Sequence, residues 1–554
     1  MELRSSAIFS AVPVSLKKAN GGMFVESMVH LSCFDGKTII ERFSKAANWL
    51  RRHPGTALVV DPGVYELSTP LARRTMNHVL SGVFGENPQD VMFTPKFAYS
   101  TGLLLDNIEN LTIFARGVLL MVDGFMEPVA IQSCRNITIE GLSVDHKRKP
   151  FSMGVVSDVQ WQEKEKGSFI VQFGADYPTF PQTPMPRLAL YDPYASRFAG
   201  YGEYRIIRRE WLGENRWRFS FEGMRFNPAG MECYVWHAFH SRPAIRIEES
   251  QNICLRDVTI HSQPGMGVVA HRSSNLLLSG MRVVPSAGVH MSTNTDATHF
   301  TSCKGTVRIE NSVFEGQGDD SVNIHTYYHT IRETDGCSCI VELESPDGTH
   351  TQSRDIPDAG DLLELTELNT LACTDTYRVL AAEQIDHRTN RLLLDHPLPE
   401  NCPGFSFANA SHTARFEFCN NLCRNHIARS VLVKVKNALI ENNTIMDATG
   451  TGIYVAAEAE WREGLCTTQN IVICRNRIVN CGRASGSGRK NGSGGICVTV
   501  DAENAIAPTH ASVIICDNII DCPEAPYGIY VSNTAKFVLE RNDVNALQEP
   551  VILA

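Results

Sequence analysis

The chain repeats one hydrophobic pattern many times along its length. A polar or small pair, often with Asn, precedes an apolar-x-apolar run, two polar or small residues and another apolar residue. Alternation with a period of two is typical of a β-strand with one buried face. The pattern occurs in "ENLTIFARGVLL" from Glu109, "RNITIEGLSV" from Arg135, "QNICLRDVTI" from Gln251, "SNLLLSGMRV" from Ser274, "GTVRIENSVF" from Gly305, "NALIENNTIM" from Asn437, "QNIVICRNRIV" from Gln469, "ASVIICDNII" from Ala511 and "AKFVLERNDV" from Ala535.

The spacing of these segments predicts a coil of nearly constant length. Asn110 precedes Asn136 by 26 positions, and Asn252 precedes Asn275 by 23. Strands this short cannot bury a face alone, but they can when they stack on neighbouring copies. Asn suits the corners because it tolerates left-handed backbone dihedrals and can form side-chain ladders. We therefore predict a mainly β protein with a right-handed parallel β-helix. A β-sandwich or propeller is the alternative.

Two interruptions and one helix complete the predicted organisation. Both interruptions predict antiparallel strands, enough for a small β-barrel-like domain in each. The amphipathic segment "FDGKTIIERFSKAANWLRR" from Phe34 predicts a helix that caps the first rung. The predicted parts are the cap and first rungs (1–150), an inserted domain (151–240), central rungs with the candidate acids (241–326), a second inserted domain (327–410) and C-terminal rungs (411–554).

Composition and charge narrow the classes of partner and location. The net charge is -10 and the pI about 6.0, which argues against a nucleic-acid or anionic-membrane partner. No apolar run approaches the roughly 20 residues of a membrane span. The N-terminal "MELRSSAIFSAVPVSLKK" does not fit a secretory signal, and the 17 cysteines lack a disulfide framework spacing. We expect reduced thiols and a cytoplasmic location, and a homo-oligomer is compatible with the sequence.

Three aspartates are expected to meet on neighbouring rungs. Asp296 precedes Asp319 by 23 positions and Asp320 by 24, which is one coil of the repeat. Residues one coil apart stack about 4.8 Å from each other. Crowded carboxyl groups raise the pKa of at least one member, and glycosidic bond hydrolysis uses one protonated and one ionised acid. Gly316 and Gly318 permit the bend that exposes both acids of the adjacent pair.

Polar and aromatic residues near these acids are candidates for binding a sugar. Trp461 can stack on the apolar face of a sugar or serve as a packing residue. The charged candidates can equally lie on solvated faces. The predicted substrate-binding residues are His299, Asn323, His325, Arg429, Lys434, Glu458, Trp461 and Glu463.

The acids leave other interpretations open. They can be solvated corner residues, or oxygen ligands of a calcium ion. We predict catalysis with neither a metal nor a cofactor. The alternative functions are a non-catalytic carbohydrate-binding or structural β-helix, a glycosidase for another sugar, and a polysaccharide lyase. A lyase would use Lys304 or Lys434 as its base, but its acidic substrate suits an acidic protein poorly.

The segment "NTDATHFTSCKGTVRIENSVFEGQGDDSVNIH", from Asn294 to His325, resembles the signature of glycoside hydrolase family 110. Further similar stretches begin at Pro264, Arg424 and Thr451, so the resemblance spans about residues 30 to 545. That family is similar to the pectin-cleaving family 28. The resemblance implies a carbohydrate substrate with terminal α-1,3-linked galactose, exo action and inversion, and it makes the three aspartates the catalytic carboxylates. It also suggests that acid and base are split between the two rungs.

Overall fold

The computed structural model describes residues 27–554 except positions 93, 95, 201–203, 344–354, 387, 466, 484–492 and 506. The N-terminal stretch considered as a possible export signal lies outside the described residues. Strands dominate the described chain, and they form one large parallel sheet, a second parallel sheet and two antiparallel assemblies. The fold class predicted from the repeat is confirmed.

The largest sheet has 21 strands and supplies two faces of the β-helix, because two long strands, Glu109–Asp123 and Arg135–His146, run through both faces. Its other strands are Ser27–His30, Thr56–Val59, Gly63–Ser68, Gln251–Arg256, Thr259–Ile260, Ser274–Ser279, Arg282–Val283, Lys304–Glu310, Val313–Glu315, Arg415–Cys419, Leu422–His426, Asn437–Glu441, Thr444–Ala448, Thr468–Cys474, Arg477–Val479, His510–Cys516, Ile519–Cys522, Thr534–Glu540 and Asp543–Ala546.

A second parallel sheet of 11 strands forms the third face, and the candidate acids lie beside it. Its strands are Thr101–Asp106, Glu127–Gln132, Ile245–Glu248, Val268–His271, Thr298–Thr301, Val322–His325, Val431–Val433, Ile453–Val455, Gly494–Val498, Tyr527–Val531 and Glu549–Leu553.

Apolar residues in equivalent positions stack through the interior of the β-helix. Ile253 pairs with Leu276, Leu276 with Val307, and Val307 with Phe416, and all four are buried. Each short strand thus buries its apolar side against the next rung, which is the cooperation predicted from the repeat.

Asn residues form ladders at the corners. Asn110, Asn136, Asn252 and Asn275 all have φ between 56° and 58°. The amide nitrogens of Asn136, Asn252 and Asn275 each donate to the side-chain oxygen of the Asn one rung below, at 2.7 to 3.0 Å. A second, largely buried ladder joins Asn421, Asn443, Asn476, Asn518 and Asn542. The recurring Asn therefore satisfies its own polar groups while turning the chain.

Both interruptions fold as antiparallel sheets with cores of their own. The first has seven strands: Phe151–Glu163, Lys166–Phe173, Arg187–Asp192, Arg197–Ala199, Arg205–Gly213, Arg216–Glu222 and Glu232–Trp236. The second closes into a six-stranded barrel: Tyr328–Asp335, Ser338–Leu343, Leu362–Thr366, Cys373–Gln384, Thr389–Leu394 and Ser406–Asn409. The barrel follows directly on the rung that carries the acid pair.

The predicted amphipathic helix forms at Ile39–Leu50, and it buries Phe43 and Leu50 in the core of the β-helix. Thr38 caps it by accepting a hydrogen bond from the Glu41 backbone N–H at 3.2 Å. Shorter helical segments are Leu31–Cys33, Pro70–Leu80 and Gln89–Met92. Sixteen cysteines are described, and all of them are free thiols. Within the described ranges, no helix has both the length and the apolar character that crossing a membrane requires.

Candidate active site

The three aspartates lie at the turns that lead into Thr298–Thr301 and Val322–His325. Because Thr298 pairs with Val322, Asp296 lies one rung below Asp320. The Ala297 backbone N–H donates to the Asp320 carbonyl oxygen at 2.9 Å. One carboxyl oxygen from each of Asp296, Asp319 and Asp320 lies within 4.8 Å of one from each of the other two. The three acids that the coil spacing predicted to be in register therefore lie together in the structure.

Two glycines allow the turn before the acid pair to lie close to the rung below. Gly316 has a φ of 73°, and a Cβ there would lie 2.4 Å from the carbonyl oxygen of His290. A Cβ on Gly318 would lie 2.3 Å from the carbonyl oxygen of Asn294. Any side chain at either position would push the turn away from the lower rung, so the contact between the acids depends on both glycines.

Asp320 is an ion-paired carboxylate. Arg429, in the equivalent position of the next rung, donates from Nε to Oδ1 at 3.0 Å and from Nη2 to Oδ2 at 2.8 Å. Its backbone N–H adds a third bond to Oδ1 at 2.8 Å. Charge-assisted, forked hydrogen bonds of this kind are among the strong ones in proteins.

Asp319 has different surroundings from its neighbour. It is partly exposed, and no described hydrogen bond or ion pair engages its side-chain oxygens. Burial of the carboxyl group, followed by the negative charges of Asp320 and Asp296, raises the pKa of Asp319 well above its usual range. Asp319 thus combines partial exposure with a raised pKa, as a general acid requires.

Asp296 leads into a pair of imidazoles that pack edge to face, with ring centroids 5.0 Å apart. Its Oδ2 lies 2.7 Å from His299 Nδ1, and His299 Nε2 lies 2.9 Å from His325 Nε2. All three side chains are buried. Burial and the charge of Asp320 raise the pKa of Asp296 well above its usual range. Of the predicted binding residues, His299 therefore contacts the acid directly and His325 contacts it through His299.

The remaining charged candidates form one buried network. The ammonium group of Lys434, which is fully buried, pairs with both Glu458 and Glu463. Arg429 connects this network to the acids, since its Nη1 lies 3.2 Å from Glu458 Oε1. Asn323 Nδ2 donates to Glu463 Oε2 at 3.4 Å. The solvated-face interpretation of Lys434 is wrong, because two carboxylates compensate its burial.

Trp461 lies partly buried in the turn between Glu458 and Glu463. The backbones of the two glutamates pair across this turn, with Glu458 N–H donating to Glu463 O at 2.9 Å. The next residue, Arg462, accepts from the Tyr328 backbone N–H at 2.9 Å, where the barrel begins. The inserted barrel thereby fixes the turn that carries Trp461 next to the acids.

Two groups of residues near the site escaped the sequence analysis. Ser321, directly after the acid pair, accepts a hydrogen bond from Gln317 and lies 3.3 Å from His426 Nε2. The coil spacing places His426 in the next rung, so the repeat could have indicated it. Arg187 comes from the first inserted sheet, and its positive charge acts on Asp319. No spacing rule applies to a residue from an insert.

Comparison with known proteins agrees with this geometry. A family model described as "Glycosyl hydrolases family 28" matches residues 237–340, the stretch that contains all three aspartates. Alpha-1,3-galactosidase B of Parabacteroides distasonis is 24% identical over 68% of this chain and 66% of its own length. The chain is a glycoside hydrolase. The enzyme class and the family resemblance inferred from the sequence are both confirmed.

Other relatives of this glycoside hydrolase carry similar names. Alpha-1,3-galactosidase A of Bacteroides fragilis (strain YCH46) is 24% identical over 81% of the chain and 76% of its own length. Alpha-1,3-galactosidase B of Bacteroides thetaiotaomicron is 26% identical over 76% and 69%. A solved exopolygalacturonase from Thermotoga maritima aligns over 98% of this chain and 93% of its own, with 13% identity and a TM-score of 0.40. The evidence for the β-helix architecture is the pattern of strand pairings within the protein.

Proposed function

We propose that the enzyme is exo-acting and removes terminal α-linked galactose, with the α-1,3 bond as its main substrate. The names of its relatives supply the sugar and the linkage. The observation that carries the chemistry is the trio of carboxyl groups in three unlike environments. Asp319 has a raised pKa and no hydrogen bond among the described residues, Asp320 is paired with a guanidinium group, and Asp296 is bonded to an imidazole. Such divergence is typical of acid and base assignments in glycosidases.

The environments assign a role to each acid. Asp319 is the general acid and protonates the leaving oxygen, since its pKa is raised and its side chain is partly exposed. Asp296 takes a proton from the attacking water, which places the acid and the base on different rungs. Asp320 stays charged and stabilises the positive charge that develops at the anomeric carbon.

The stereochemistry has two opposing indications. The relationship to family 28 and the sequence signature favour inversion. However, one carboxyl oxygen from each acid lies within 4.8 Å of one from each of the others, whereas carboxyl groups of inverting enzymes are usually about 6.5–9.5 Å apart. A short separation favours a retaining enzyme with a covalent intermediate. We propose inversion, because Arg429 is paired with the Asp320 carboxyl group and His299 is hydrogen-bonded to that of Asp296. Neither acid is then a free nucleophile.

The site also offers groups for sugar recognition. The Asn323 side-chain oxygen is buried without a hydrogen-bond partner among the described residues, so it suits a sugar hydroxyl. Trp461 offers an indole ring at the turn beside the acids for stacking on galactose. Arg429 retains some exposure and can donate to a hydroxyl while it holds Asp320.

The lyase alternative loses its candidate bases. Lys434 is fully buried between two glutamates. Lys304 pairs with Asp358 at 3.1 Å and with Asp361 at 3.5 Å, at the junction with the barrel. In both cases carboxylates already bind the ammonium group that would act as the base. The remaining alternatives are a glycosidase for another sugar and a binding protein without turnover.

A panel of α-1,3-, α-1,4- and α-1,6-galactosides tests the proposal, with galactose release as the readout. We expect release from the α-1,3 compound, and its loss in both Asp319→Asn and Asp296→Asn. Calorimetry on the same compounds covers the alternative. Binding of a galactoside by the intact protein with no release would contradict the proposed activity and support a binding protein.

A further inference from the structure

The contacts behind Asp296 form a chain that ends on a backbone carbonyl group. His325 Nδ1 lies 3.1 Å from the carbonyl oxygen of Thr326. A carbonyl oxygen only accepts hydrogen bonds, so His325 Nδ1 carries the proton of this contact. Burial lowers the pKa of His325 to about 3, so the ring is neutral at working pH. Its Nε2 therefore presents a lone pair.

The same assignment of hydrogen-bond donors and acceptors determines the tautomer of His299. The contact between the two Nε2 atoms needs one proton, and only His299 can supply it. Burial also lowers the pKa of His299, so this ring is neutral and its Nδ1 carries no proton. The 2.7 Å contact from Nδ1 to Asp296 Oδ2 then requires a proton on Asp296.

A protonated carboxyl group is a poor base by itself, yet Asp296 faces the attacking water in the proposed reaction. The imidazole behind it removes this conflict. We propose that Asp296 and His299 act together as the base, and that His325 is the residue that fixes their proton arrangement. This inference deepens the proposed function and rests on it. His299 and His325 are positioning residues, since they act through Asp296.

The proposed step conserves protons and charge. The oxygen of water bonds to the anomeric carbon as the bond to the leaving oxygen breaks, and Asp319 gives its proton to that oxygen. One proton of the water passes to Asp296 Oδ1, while the proton on Oδ2 moves to His299 Nδ1. Asp296 is neutral before and after, Asp319 ends as a carboxylate, and His299 ends as an imidazolium ion. Return of the proton to Asp319 through solvent restores the site.

Negative charges near His299 partly offset the effect of its burial and help it to carry a transient charge. Glu463 Oε1 lies 3.6 Å from His325 Nε2, and its negative charge raises the pKa of His299 against the effect of burial. Lys434 opposes this, but it is paired with Glu463. The titratable and charged groups that face the chain are Asp319, Asp320, Tyr327, Arg429, Lys434 and Glu463.

Nitrogen-15 NMR of histidine-labelled enzyme tests the tautomers without any turnover. His299→Gln assigns the His299 signals. We expect a neutral His299 protonated at Nε2 at pH 7. In His325→Met the acceptor is gone, so the signal should move toward the form protonated at Nδ1. A wild-type His299 protonated at Nδ1, alone or on both nitrogens, would overturn the proposal whether or not galactosides are cleaved.

The pH profile of His299→Gln tests the catalytic consequence. Without the imidazole, Asp296 must ionise before it can act, and its pKa is raised. We therefore expect kcat to fall about 100-fold and the acid limb of kcat/KM to move to higher pH. His261→Gln, a partly buried histidine bonded to the Val284 carbonyl oxygen, is the matched control and should leave the limb in place. A lower kcat in His299→Gln with an unmoved limb would mean a purely structural role and would overturn the proposal.

Discussion

Three aspartates of one site differ only in what surrounds them. Arg429 forms a forked pair with Asp320, Asp319 has no hydrogen bond among the described residues, and Asp296 is bonded to an imidazole. Identical side chains thereby acquire unlike proton affinities, which a pair of adjacent acids in an open strand could not achieve. At this scale the environment, rather than the residue type, decides the chemistry.

Asp319→Asn should lower kcat by about 10³-fold, because the variant has no proton to give. It should also raise the Tm at pH 7. The folded state raises the pKa of Asp319, so ionising this acid above its ordinary range of about 4 costs folded stability, and Asn avoids that cost. The gain in Tm should vanish below about pH 4, where the acid is protonated in both states.

Measurements of Tm at pH 7 and below about pH 4, and of kcat at pH 7, check this prediction. Asp543→Asn, on an exposed strand, is the control and should change neither quantity. An Asp319→Asn variant with unchanged kcat would remove Asp319 from the role of general acid.

Lys434→Met should destabilise the fold by about 3 kcal/mol, because it leaves Glu458 and Glu463 buried without their shared cation. Lys536→Met replaces an exposed lysine and should cost almost nothing. Urea unfolding measures both free energies. A cost below about 1 kcal/mol for Lys434→Met would contradict an essential buried ion pair.

At the scale of the element, corner Asn residues hold one rung on the next. The side chain of Asn443 is buried, donates to Phe418 O at 2.8 Å and to Asn476 Oδ1 at 2.9 Å, and accepts from Asn421. The outer ladder differs, because Asn252 is exposed. The main requirement at this position is a residue that tolerates a backbone φ of 58°. Buried hydrogen bonds matter in one ladder and backbone conformation in the other.

Asn443→Ala should therefore cost about 3 kcal/mol of unfolding free energy, since several buried polar groups lose partners. Asn252→Gly should cost well under 1 kcal/mol, because glycine accepts a positive φ and water replaces the lost bonds. Denaturant unfolding of the two variants gives the comparison. Equal costs would contradict the distinction between the two ladders.

The sequence predicted the elements where contacts are local to the repeat. Asn spacing and strand alternation indicated the coil, and the same spacing placed Asp296 under Asp320. It did not reveal how Lys434 is paired, because Glu458 and Glu463 reach it only through a turn fixed by the barrel. The strands of the two inserts pair through tertiary packing. No periodic pattern in the sequence indicates which of these strands are neighbours. Arg187 was missed for the same reason.

At the scale of the whole molecule, one buried acid joins the barrel to the β-helix. Asp355 Oδ2 lies 2.9 Å from His329 Nε2 of the barrel, and its Oδ1 lies 3.9 Å from His271 Nε2 of a rung. Burial opposes ionisation of Asp355, but the hydrogen bond and the positive charges around it lower its pKa far below the usual range. The barrel that positions Trp461 is held by this contact.

Asp355→Asn should lower the Tm at pH 7. The depressed pKa of Asp355 gives stability that is present above its ordinary pKa and is lost as the pH falls toward the folded-state value. The difference in Tm between variant and wild type should therefore shrink below about pH 4. A difference independent of pH would show that packing, rather than charge, makes the contact.

The anomer of the first product tests the central claim most directly. NMR during cleavage of an α-1,3-galactoside, read before mutarotation, shows which form of galactose is released. Direct attack by water, with Asp319 as acid and Asp296 on the side of the base, predicts β-galactose. Release of α-galactose would contradict it and would require one of the three aspartates to form a covalent bond with the sugar.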